Sequence, residues 1–137
     1  MREAFTSQAR NALIQAGRAA RQCQHNYIGT EHILVGLLKE GHGTAGMVLK
    51  EFGVQEERLL SLIDRLIAPA GGVSVVMQPG YTPRAEKVLE DAKGEAHHFR
   101  NTTIGTEHIL IALLKETDCV ACLLYTSDAA DDLTRVD

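Results

Sequence analysis

The segment Ile28-Gly-Thr-Glu-His-Ile-Leu-Val-Gly-Leu-Leu-Lys-Glu40 recurs as Ile104-Gly-Thr-Glu-His-Ile-Leu-Ile-Ala-Leu-Leu-Lys-Glu116. Eleven of the 13 positions are identical, and only Val35/Ile111 and Gly36/Ala112 differ. The offset of 76 residues holds upstream without a gap, setting Phe5 on Tyr81, Thr6 on Thr82, Ala9 on Ala85, Leu13 on Leu89 and Ala16 on Ala92. A fixed period of this kind is the signature of a tandem duplication, in which each copy is one supersecondary unit.

Within each copy the apolar residues fall on one helix face. Phe5, Ala9, Ala12, Leu13, Ala16, Ala20 and Cys23, and likewise Tyr81, Ala85, Val88, Leu89, Ala92, Ala96 and Phe99, follow the i, i+4, i+7, i+8 spacing of an amphipathic helix. Thr82-Pro83 is a start signal, because threonine accepts from an orphan amide and proline tolerates the first helical position. Thr6 stands at the matching place. A second helix is expected to be capped by Thr30 or Thr106, a third to run from about Gly43 to Phe52, and a fourth from about Gln55 to Ile67, with Gly53-Val54 as the turn between them. Residues 69–80 read as a linker by their Pro and Gly content, and Val73 to Met77 as extended chain within it.

The chain has 137 residues, 45% of them hydrophobic and 23% charged, the composition of an ordinary globular domain. Aromatic residues are only 4% and tryptophan is absent, so the core must be aliphatic and alanine-rich, which suits close-packed helices. A net charge of −4 argues against a nucleic-acid interface, which requires a basic patch. Three cysteines, no apolar leader and no membrane-length apolar run fit a cytoplasmic protein.

Chemistry concentrates in the doubled Gly-Thr-Glu-His. Glu31 and Glu107 in a first helical turn are favoured by the positive end of the helix dipole, a purely structural role. Their repetition beside helices starting at Thr6 and Thr82 suggests more. Helix amides and a hydroxyl receive an anion, while a carboxylate receives a guanidinium. Such a pair suits a ligand negative at one end and cationic at the other. His32 and His108 are poorly placed to share a metal with Glu31 and Glu107, since adjacent helical residues diverge by about 100°. They are expected to pack beside the helix start and bond to backbone, with His25, His97 and His98 solvated or in loops. Cys119-Val-Ala-Cys122 lacks both the βαβ context of a redox motif and a second pair for zinc. No phosphate-binding Gly-x-x-x-x-Gly-Lys loop or Gly-x-Ser-x-Gly nucleophile elbow occurs.

Phe5-Thr6-x-x-Ala9, Asn26-Tyr-Ile-Gly-Thr-Glu-His-Ile-Leu-Val-Gly-Leu-Leu38, Tyr81-Thr-Pro-Arg-Ala85 and Ile104-Gly-Thr-Glu-His-Ile-Leu110 together resemble the duplicated N-terminal domain of Clp AAA+ unfoldases, closest to the ClpC type. The resemblance covers residues 1–121. It implies an all-α fold of two pseudo-symmetric four-helix repeats, repeat one over 1–68 and repeat two beginning at 81. It also implies a non-catalytic docking platform, itself without cofactor, for adaptors and substrates on a hexameric ATPase that feeds a ClpP-type peptidase. By the same resemblance Glu31 and Glu107 would hold the guanidinium of phosphoarginine, and Thr6 and Thr82 its phosphate. Two alternatives remain open at this stage: a metal-dependent helical enzyme built on the Glu-His pairs, and a purely structural assembly module.

Repeat two departs from repeat one after Ala121. The offset predicts its last two helices at residues 122 to 144, yet Asp128 and Ala130 stand where Phe52 and Val54 lead one to expect apolar side chains. Residues 122–132 resemble the translation of a transposase-type sequencing adaptor, so 122–137 is expected to be a non-native or disordered tail. That tail carries −3 of the charge, from Asp128, Asp131, Asp132 and Asp137 against Arg135.

Overall fold

The computed structural model describes residues 4–66 and 80–116. Their order is α1 (Ser7–Gln22), β1 (Tyr27–Ile28), α2 (Thr30–Glu40), α3 (Thr44–Glu51), α4 (Glu56–Leu66), β2 (Gly80–Tyr81), α5 (Pro83–His98) and α6 (Thr106–Lys115). The duplication is therefore visible as α1/α2 against α5/α6. The four helices expected of repeat one are all present. The tail, the Cys119/Cys122 pair, the extended reading of Val73 to Met77 and the last helices of repeat two lie outside the described residues.

Both long helices begin as their threonines predict. Thr6 Oγ1 accepts from the Ala9 amide and Thr82 Oγ1 from the Ala85 amide, each at 3.1 Å. Both end in the same way. Gln24 and Arg100 adopt left-handed φ values of 61°, and the amides of His25 and Asn101 reach back to the carbonyls of Ala20 and Ala96. That is the Schellman termination with a side-chain-bearing residue where glycine is usual. Gly53, with φ of 82°, supplies the expected glycine turn after α3.

Phe5 and Tyr81, which the apolar period placed on the helix face, are not helical. They precede the caps and pair with the other repeat. Tyr27 and Ile28 run parallel to Gly80 and Tyr81, and Phe5 bridges Ile104 in the same sense. Gly80, read as linker, is thus part of a strand pair. The Thr82 amide donates to the Ile28 carbonyl at 3.0 Å and the Thr6 amide to the Ile104 carbonyl at 2.9 Å. Each repeat lends its first residues to the segment ahead of its partner's second helix.

The core is aliphatic. Ala9, Ala12, Ala16, Ala19 and Ala20 of α1, Ile33, Val35 and Leu37 of α2, Ala85, Val88 and Ala92 of α5, and Ile109 and Leu113 of α6 are all buried, and α1 packs on α2 as α5 packs on α6. Helix α2 lies at the centre, touching α1, α3, α4, α5 and α6. A Cβ at Gly36 would overlap the Ala12 carbonyl, so glycine sets how closely α1 and α2 approach. Not every periodic residue is buried: Cys23 is, but its counterpart Phe99 is 55% exposed.

Candidate functional site

The Gly-Thr-Glu-His segments open α2 and α6, and the structure reassigns their caps. Gly29 and Gly105 occupy the N-cap positions, with Thr30 and Thr106 as the first helical residues. A glycine offers no side chain to the orphan amides, and the histidines compensate. The Gly29 amide donates to His32 Nδ1 at 2.9 Å, and the Gly105 amide to His108 Nδ1 at 2.8 Å. The Thr106 hydroxyl does accept from a helix start, but from α3, where it takes the Ala45 amide at 3.1 Å.

These bonds fix the imidazole tautomers. With Nδ1 accepting, Nε2 of a neutral ring carries the proton and must donate. His108 Nε2 donates to Asn101 Oδ1 at 3.0 Å, and His32 Nε2 stands 2.7 Å from Nδ1 of His25, the residue matching Asn101. His25 is therefore not solvated. It is 5% exposed, stacked on Tyr27, and serves as the acceptor that holds His32 in its capping tautomer. Burial, and next the neighbouring His25, lower the His32 pKa from 6.5 to about 3. His97 and His98 are exposed as expected, though they lie in the last turn of α5.

Cys23, His25 and His32 lie close enough for their ligand atoms to fall within 4.8 Å of one another. The nitrogens of the two imidazoles that face each other are 2.7 Å apart. Two ligands on one tetrahedral ion with bonds of 2.0–2.1 Å stand about 3.3 Å apart. Coordination through His32 Nε2 would also protonate Nδ1 and turn it against the Gly29 amide. The geometry favours a hydrogen-bonded capping pair. The cluster shares His32 with the Glu-His pairs on which a metal enzyme would be built, but neither glutamate belongs to it.

The glutamates lie over the glycines that precede them. A Cβ at Gly29 would meet the Glu31 carboxylate and one at Gly105 the Glu107 carboxylate, Oε1 at 2.5 Å in both cases. These glycines have ordinary negative φ values near −97° and −96°, so they are required for room and not for backbone freedom. Glu31 is 3% exposed, and burial raises its pKa against the lowering effect of its own backbone amide. Glu107 is partly exposed.

Strand exchange brings glutamates and threonines together across the repeats. Thr82 is bonded to Ile28, one residue before Gly29, and so sits beside the Glu31 end of α2. Thr6 is bonded to Ile104 and sits beside the Glu107 end of α6. Each candidate half-site thus combines the start of a 16-residue helix from one repeat with a carboxylate from the other. A cleft of about 540 Å³ is lined by Phe5, next to Thr6, by Pro83, next to Thr82, and by Glu86, Lys87, Leu89 and Glu90 of α5. Sequence reasoning did not find this cleft, because Phe5 reaches α5 only through the parallel bridge.

A duplicated all-α module with interlocked repeats and paired helix-start sites is the class of protein so defined. Residues 4–127 match the Clp repeat (R) N-terminal domain family. The chain belongs to that family. It is 38% identical over 123 residues to the ATP-dependent Clp protease ATP-binding subunit ClpC of Staphylococcus aureus, covering 90% of this chain and 15% of that protein. Over 136 residues it is 40% identical to a ClpA homolog of Guillardia theta, covering 99% of this chain and 16% of that one. It spans, then, about a seventh of the curated relatives it matches. Its fold is similar to the N-terminal domain of ClpD from Arabidopsis thaliana, with TM-score 0.66 and 20% identity over 95% of this chain and 94% of that one. It is also similar to a ClpV N-domain solved with a VipB peptide, with TM-score 0.65 and 23% identity over 83% of this chain and 69% of that one. No helix among the described residues is long and apolar enough to cross a membrane.

Proposed function

We propose that this chain is the substrate- and adaptor-recognition domain of a ClpC-like ATP-dependent unfoldase, acting in bacterial cytoplasmic protein quality control, and that it binds proteins marked with phosphoarginine. The parent would be a hexameric ATPase partnered with a ClpP-type peptidase, and this domain a docking module without catalysis or cofactor of its own. The observation that carries the reading is the cross-repeat pairing of Thr82 with the Glu31 end of α2 and of Thr6 with the Glu107 end of α6. Phosphoarginine is anionic at its phosphate and cationic at its guanidinium. Helix-start amides and a threonine hydroxyl suit the first, and a carboxylate beside them suits the second. The peptide bound by a related ClpV N-domain supports protein segments as the partner class.

Calorimetric titration of phosphoarginine into the wild-type chain and into a Glu31→Ala, Glu107→Ala double variant tests the reading. Binding at each half-site should fall by about ten- to a hundredfold in the double variant, since each loses one charge-assisted contact of about 1.5–3 kcal/mol. Undiminished binding would remove both glutamates from the site.

A further inference from the structure

The helix starts of the two half-sites are not alike. Arg84 is the second residue of α5, whereas the matching residue of α1 is Gln8. A cation in a first helical turn faces the positive end of the dipole, at a cost of about 0.3–1 kcal/mol. Its ion pair is a weak return. Arg84 Nη1 is 4.0 Å from Glu116 Oε1, while Lys87 Nζ holds the other oxygen of that carboxylate at 2.9 Å. The Arg84 side chain is 48% exposed, leaving the guanidinium able to swing toward the helix start. Arg10 of α1 does not take its place. It matches Glu86, two residues further on and about 200° around the helix.

A second observation marks the same half. The carboxylate on the Thr82 side belongs to Glu31, which is 3% exposed and has as ionisable neighbours Cys23, Tyr27 and, with Nδ1 at 3.8 Å from Oε2, the His32 ring. That ring is kept neutral by burial and by its capping bond. A carboxylate already out of water loses little further hydration when a guanidinium arrives, so the attraction is less offset there than at a solvated group.

We propose that Arg84 binds the phosphate oxygens at the start of α5 and makes the Thr82–Glu31 half the stronger of two unequal phosphoarginine sites. This rests on the phosphoarginine reading given above. Guanidinium and phosphate meet through two parallel N–H···O bonds, a geometry that glutamine cannot supply to an anion.

Phosphoarginine, free arginine and inorganic phosphate titrated into the full chain by calorimetry test the proposal, with Arg84→Gln and Gln8→Arg as exposed, polar variants. The wild type should show two unequal binding events. Arg84→Gln should weaken the tighter one by about tenfold, and Gln8→Arg should strengthen the weaker one by a similar factor. Inorganic phosphate should follow the same pattern, while free arginine should bind both variants as it binds the wild type. A tighter event unchanged in Arg84→Gln, or arginine weakened as much as phosphoarginine, overturns the role of Arg84 alone. A wild type that binds no phosphoarginine overturns the receptor reading beneath it.

Discussion

Helices α2 and α6 share almost every residue and differ in what covers them. Leu38 is 4% exposed and its counterpart Leu114 is 50% exposed. Val35 is buried where Ile111 is only partly so, and Glu31 is buried where Glu107 is partly open. Helices α3 and α4 pack on α2, adding Leu49, Leu59 and Ile63 to its surroundings, whereas among the described residues α6 has no such pair from its own repeat. The second difference is at the matched positions 36 and 112: Gly36 lets α1 press its backbone against α2, and α6 carries Ala112 there. One sequence in two settings therefore gives a central helix and a peripheral one, and burial belongs to the setting.

The largest test of this contrast is the matched pair Leu38→Ala and Leu114→Ala. The first should cost about 3 kcal/mol and the second under about 1 kcal/mol, because only the buried leucine leaves a cavity. Urea denaturation of both variants measures it, and equal losses would erase the distinction. Next comes Gly36→Ala, which should destabilise by about 2 kcal/mol as the two helices are forced apart. Converting Ala112 to glycine should cost about 1 kcal/mol, chiefly through helix propensity. A stabilising Gly36→Ala would mean that the close approach of α1 and α2 is not needed.

The most gradual effect concerns pH. The His32 pKa is about 3 when folded, against 6.5 for an imidazole in water. Between those values the unfolded chain binds a proton that the folded chain refuses, so stability is lost as pH falls below about 6.5. The slope approaches about 1.4 kcal/mol per pH unit. Glu31 acts in the opposite sense, since its raised pKa lets the folded state accept a proton sooner. Denaturation curves between pH 7.5 and 5 on the wild type and on Glu31→Gln separate the two, since removing the opposing carboxylate should steepen the histidine slope. A His32→Asn variant should flatten it, and a slope that survives the change would assign the effect elsewhere.

Much of the fold was legible because it rests on local rules. The threonine caps at Thr6 and Thr82, the helix spans of repeat one and the Gly53 turn follow from residue chemistry within a few positions. The ends of α1 and α5 escaped, because Gln24 and Arg100 adopt the left-handed conformation without being glycine. At the site the glutamates and threonines were identifiable from the duplication. The capping role of the histidines was not, since the nearby threonines are better cap formers on propensity alone. His25 stands in a loop as expected, but its burial escaped for a related reason: its partner His32 is brought to it by the turn of the chain after α1.

By itself the sequence determined that two copies of one helical unit exist, where their helices begin, and which residue types could receive a two-ended ligand. A 76-residue period and cap chemistry suffice for that. Only the tertiary structure decided that each repeat completes the other, Thr82 beside the Glu31 end of α2 and Thr6 beside the Glu107 end of α6. Parallel pairing of residues about 50 to 100 positions apart satisfies backbone groups that no local pattern can match, so no reading of neighbouring residues could have supplied it.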